Sequence, residues 1–121
     1  MVKSKTRLPQ THTKVVAAAA QMTSKSNFED NLGKIERFVK DARAQGAQLV
    51  TFPENFLFFA DQTHGSVDFA HAHAERLLKV LTRFARDHSI WILAGSIAWP
   101  VKSSARGKRA RRITNRSFLI N

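Results

Sequence analysis

At 121 residues, 43% of them hydrophobic and 24% charged, the chain is long enough for one globular domain with a core of its own and too short for two. It has no cysteine, which excludes disulfides, thiolate nucleophiles and cysteine-based zinc sites within it. The net charge of +11 is concentrated in two places, Lys3, Lys5, Arg7 and Lys14 at the start and Lys102, Arg106, Lys108, Arg109, Arg111 and Arg112 near the end, so the body between them is close to neutral.

Residues 1–13 read as a basic, flexible tail. Their basic and hydroxyl residues have the flavour of a transit peptide, but Pro9 and the scarcity of apolar side chains work against an amphipathic helix. No apolar run approaches the ~20 residues of a bilayer span, so the expectation is a cytoplasmic protein without membrane contact. Lys14 to Met22 (KVVAAAAQM) predicts a short strand buried on both faces.

Ser26 and Glu29 have the spacing of a capping box, which predicts a helix start there. Phe28, Leu32, Ile35, Phe38, Val39 and Ala42 then form one apolar stripe at helical period, and Gly46 supplies the stop. Ala47 to Phe52 predicts a second strand, closed by Pro53, with Glu54 just beyond its carboxyl end.

Residues 55–67 lack a period and end in turn chemistry at Gly65-Ser66, so a loop is expected. From Asp68 to about His88 the helical stripe returns: Ala70, Ala74, Leu77, Leu78, Leu81, Phe84 and Ala85 share a face, with Arg76, Lys79, Arg83 and Arg86 mostly off it. Ile90 to Trp99 predicts a third strand, bulged at Gly95, with Trp91 and Trp99 as packed strand residues. A basic loop follows at 102–112, and Thr114 to Ile120 predicts a fourth strand.

The order β-α-β-α-β-β implies an α/β fold with a parallel or mixed sheet and right-handed crossovers. Sites in such folds gather beyond the carboxyl ends of the strands, here at Gln21-Met22 and Pro53-Glu54-Asn55. Other constellations carry less. His71 and His73 stand at i and i+2, a spacing that points two helical side chains apart, so no metal site is expected there. Ser96 lacks the elbow that exposes a nucleophilic serine, and no glycine-rich phosphate loop exists. The basic segments lack interleaved aromatics for stacking bases, so nucleic acid is not the expected partner.

AAAAQMTS at 17–24, the Asn31-Leu32 pair, GAQLVTFPENF at 46–56, and WILAGSI before NRSFLIN together resemble the N-terminal portion of the carbon-nitrogen hydrolase (nitrilase) superfamily. The resemblance runs in order along residues 14–121, and within the superfamily it is most similar to the deaminated-glutathione amidase and omega-amidase branch. It implies the N-terminal part of an α-β-β-α sandwich and an amidase that cleaves a linear carboxamide with a Glu-Lys-Cys triad, using no metal or organic cofactor. The motif Pro53-Glu54-Asn55-Phe56 carries the family glutamate, so the resemblance makes Glu54 the general base. Phe52, Phe56, Phe58 and Phe59 around it suggest a desolvated carboxylate.

The family lysine and cysteine lie past the segment that NRSFLIN matches, and this chain has neither a tyrosine for the lysine motif nor any cysteine. The resemblance therefore implies a partial copy, covering less than half of the family domain and inactive alone. Its expected partners are a small amide substrate in the full-length form and either a second copy or the missing C-terminal half. Two alternatives stay open: a noncatalytic module docking on a full-length paralogue through a sheet edge, and a basic nucleic-acid binder acting through residues 3–14 and 102–112.

Overall fold

The computed structural model describes residues 13–61, 65–101 and 111–121. The tail expected at 1–13 and the basic loop at 102–112 lie almost wholly outside the described residues. Six elements follow in order: β1 (Ala17–Ala19), α1 (Phe28–Ala44), β2 (Leu49–Thr51), α2 (Gly65–Asp87), β3 (Trp91–Pro100) and β4 (Ile113–Ile120). Their order is the one the sequence predicts. The helix α2 starts earlier than expected, taking Gly65-Ser66 into its first turn.

The strands lie side by side as β1-β2-β3-β4, the first three parallel and β4 antiparallel to β3. With neighbouring strands joined by right-handed crossovers, both helices fall on the same face of the sheet. Strand alternation makes the consequence visible. The row Ala18, Val50, Ile92 and Ile120 faces the helices and is mostly buried. The rows on either side of it, Ala17-Leu49-Trp91 and Ala19-Thr51-Leu93-Leu119, face away from them.

The core is the helix-covered face. Ile35, Val39, Leu77, Leu81, Val50 and Ile92 are at most 1% exposed, and Phe52, Phe56 and Phe84 close the layer. The helix stripes read from the sequence supply most of this core. Burying each such side chain contributes roughly 1.5–3 kcal/mol.

The other face is bare. Trp91 is 44% exposed and Leu119 63%, with Val15 and Val16 exposed just ahead of β1. Two expectations are corrected here. β1 is not buried on both faces, because it is the sheet's edge strand with Ala17 and Ala19 on the uncovered side. Trp91, on an interior strand, is not a packed residue because it faces the uncovered side, whereas Trp99 does pack, its ring 5.0 Å from Phe118.

The start of α1 is also corrected. Asn27, not Ser26, is the cap, its Oδ1 accepting from the amides of Glu29 (3.1 Å) and Asp30 (3.2 Å). The buried Asn31 explains the shift. Its carboxamide accepts from the Lys25 amide and donates to the Lys25 carbonyl, drawing the preceding chain back over the first turn. At the other end Gly46 adopts φ 84°, and the amides of Gly46 and Ala47 bond the carbonyls of Arg43 and Ala42, as the sequence predicts.

Candidate active site at the end of β2

Glu54 stands three residues beyond β2, at the carboxyl end of the parallel strands, where Pro53 has ended the ladder. The turn that displays it requires a left-handed residue. Asn55 has φ 55°, a conformation asparagine adopts at lower cost than most side chains.

The segment is clasped by β3. The Phe52 amide donates to the Leu93 carbonyl (3.0 Å) and the Asn55 amide to the Ser96 carbonyl (3.1 Å). Between those two bonds β3 carries one extra residue, seen as a register shift between Ala94 and Ile97, so the bulge expected at Gly95 is present. A Cβ on Gly95 would stand 2.3 Å from the carbonyl oxygens of both Phe52 and Pro53. Only glycine allows the strand and the Glu54 segment to approach this closely.

A second clasp comes from α1. Asn31 is fully buried, and besides its bonds to Lys25 its Nδ2 donates to the Leu57 carbonyl at 3.0 Å. It thereby ties the turn after Glu54 to the loop entering α1, and the Phe59 amide reinforces the tie by donating to the Lys25 carbonyl. Carbonyls buried in this way need such partners.

The phenylalanines do not enclose the carboxylate, which corrects the expectation of desolvation within this chain. Phe52 and Phe56 stack on each other in the core at 5.1 Å, Phe58 stacks on Phe69 at 4.1 Å, and Phe59 is exposed. Glu54 itself is exposed. Its contact among the described residues is Asn115, whose Nδ2 donates to Oε1 at 3.3 Å.

Gln21 is exposed and Met22 lines a separate cavity of about 340 Å³ with Thr23, Lys34, Arg37 and Phe38; although the end of β1 runs beside the end of β2, neither residue hydrogen-bonds Glu54. His71 and His73 diverge. His71 bonds the Arg112 carbonyl through Nε2 (3.2 Å), while the His73 ring packs on Phe28 and Phe69. Ser96 contributes its backbone carbonyl to the clasp.

Sequence reasoning missed Asn115 and the double tie made by Asn31. Both residues lie within quoted motifs, NRSFLIN and Asn31-Leu32, and an amide side chain inside an apolar stripe or strand is the signal that could have found them.

Residues 16–121 match the carbon-nitrogen hydrolase family. The chain belongs to that family. Among curated relatives of this carbon-nitrogen hydrolase chain, the deaminated glutathione amidase of Synechocystis sp. is 40% identical over 90 residues, which are 74% of this chain and 33% of the relative. The deaminated glutathione amidase of Yersinia enterocolitica is 36% identical over 66% of this chain and 28% of its own length. Among solved structures, an amidase from Nesterenkonia sp. superposes with a TM-score of 0.64 at 25% identity, over 85% of this chain and 37% of that one.

The chain thus spans about a third of the length of the curated relatives it matches. The four-stranded sheet with helices on one face is the N-terminal part of the fold those amidases share. Among the described residues, no helix is long and apolar enough to cross a membrane.

Proposed function

We propose that this chain is the N-terminal part of an amidase-type carbon-nitrogen hydrolase in which Glu54 is the general base for hydrolysis of a linear carboxamide. The lysine and the cysteine nucleophile come from the part of the family domain that this chain does not span. The bare sheet face, with Trp91, Leu93 and Leu119, is where that remainder packs to complete an α-β-β-α sandwich.

The chemistry follows from the roles. Glu54 takes the thiol proton as sulfur attacks the amide carbon, and the lysine stabilises the oxyanion that forms. The same carboxyl then returns the proton to the leaving amine, and afterwards deprotonates the water that cleaves the thioester. Covering the open face would also remove Glu54 from bulk water, supplying the desolvation that this chain alone does not.

The observation that carries the reading is the placement of Glu54, beyond the end of a parallel strand and clasped through Gly95 and Asn31, in a chain that matches the family over residues 16–121. The names of the relatives support it. The relatives at 40% and 36% identity are both named deaminated glutathione amidase. The test is reconstitution: this chain, co-expressed with the C-terminal part of the Synechocystis relative, is expected to release ammonia from simple linear amides, and each part alone is not.

The exposed apolar face also favours a second reading, a noncatalytic module that docks on a full-length relative. A reconstituted assembly that forms but releases no ammonia would select it.

A further inference from the structure

We propose that Asn115 is a positioning residue for Glu54, a role that rests on the reading of Glu54 as the general base. The amide Nδ2 of Asn115 donates to Oε1 of Glu54 at 3.3 Å, across 61 positions of sequence. Among the described residues, no donor bonds the other carboxylate oxygen, Oε2. One oxygen is held by a neutral donor, and the second is left to take a proton. A base works best with one oxygen aimed at the proton it takes, and a donor fixed on Oε1 sets where the lone pairs of Oε2 point.

The fold builds the contact from three features. In β4, side chains alternate across the sheet: Arg116 lies over the Trp99 ring and lines a cavity with Glu75 of α2, so Asn115 projects to the opposite, helix-free side. The bulge in β3 sets the pairing beyond Ala94, placing Asn115 opposite Ala98, while the same bulge receives the Glu54 segment through Ser96 and Gly95. The strand ladder around Asn115 is regular on both sides, with Arg116 opposite Ile97 and Thr114 opposite Trp99. The donor is therefore mounted on a rigid strand, and the carboxylate on a turn that is fixed at its two ends but exposed at Glu54. An exposed glutamate samples several rotamers, and a fixed donor selects one of them.

Two measurements test the proposal. In the first, the Asn115 side-chain amide resonances of the isotope-labelled chain, alone or within the reconstituted assembly, are identified by their loss in Asn115→Ala and followed through a titration of the carboxylates. They should shift in step with Glu54, and Glu54→Gln should abolish that shift. Resonances indifferent to Glu54→Gln overturn the proposal.

In the second, Asn115→Ala in the reconstituted amidase should lower kcat by on the order of ten- to a hundredfold with KM nearly unchanged. Asn115→Asp, which keeps the shape but has no donor, should lose at least as much. In a Glu54→Gln background, Asn115→Ala should cost nothing further, because its effect passes through the carboxylate. Additive losses, or full activity in Asn115→Asp, overturn the positioning role. Coupled resonances in an assembly that is inactive with both residues intact overturn the base reading of Glu54, and the positioning role falls with it.

Discussion

Gly95 of β3 lies so close beneath Pro53 that a Cβ on it would stand 2.3 Å from the Pro53 carbonyl oxygen, and equally close to that of Phe52. Both neighbours are backbone, which cannot swing aside as a flexible side chain does. Gly95→Ala must displace either the β3 bulge or the segment leading to Glu54. We expect a loss of about 1–3 kcal/mol or more in chemical unfolding, with loss of the Asn115–Glu54 contact. A variant as stable as the parent, with that contact kept, would show that the two segments are not locked together.

Asn31 is the second tie. Replacing it with leucine keeps its branching but adds bulk, and leaves the Lys25 amide and the Leu57 carbonyl without a partner, while the Lys25 carbonyl keeps the Phe59 amide. Each buried group left unpaired costs about 1–3 kcal/mol, so Asn31→Leu should lower the melting temperature markedly. Asn31→Asp retains one acceptor, loses both donors and buries a charge, and should be no better.

At Asn55 the backbone decides. Its φ of 55° is open to glycine and strained for β-branched residues. Asn55→Gly should be close to neutral in unfolding experiments, and Asn55→Val should cost about 1–2 kcal/mol.

The uncovered sheet face makes a prediction about assembly. Trp91 and Leu119 are exposed on the face away from the helices, and each would bury roughly 1.5–3 kcal/mol of apolar surface under a second sheet. Trp91→Lys and Leu119→Lys should each weaken binding of the C-terminal part of the Synechocystis relative by about tenfold or more, as measured by calorimetry. The circular dichroism of the chain itself should stay unchanged, since neither side chain belongs to its core.

Much of this architecture was legible because apolar periodicity is local. The stripes of α1 and α2, the stop at Gly46, the bulge at Gly95 and the position of Glu54 after β2 all follow from neighbours in sequence. What was not legible depends on distant chain. KVVAAAAQM looks like a doubly buried strand because its composition suits burial under a second sheet, and within this chain Ala17 and Ala19 have only one neighbouring strand and an open face.

Ser26 and Asn27 are both good caps. The choice between them is made by Asn31, which pulls on Lys25 from inside the helix. Four phenylalanines near Glu54 suggested an apolar pocket, yet the turn at Asn55 sends Phe56 inward to stack on Phe52 and leaves the carboxylate outside. The Asn115 contact joins β4 to the turn after β2, 61 residues away, and no local pattern brings the two together.

The central claim is that Glu54 is a general base completed by residues outside this chain. It is tested most directly by the rate of ammonia release from a linear carboxamide in the assembly reconstituted with the C-terminal part of the Synechocystis relative, comparing the parent chain with Glu54→Gln. The account predicts turnover in the parent assembly and a loss of kcat of on the order of a hundredfold or more in Glu54→Gln, with assembly intact. Equal rates in the two assemblies would contradict it.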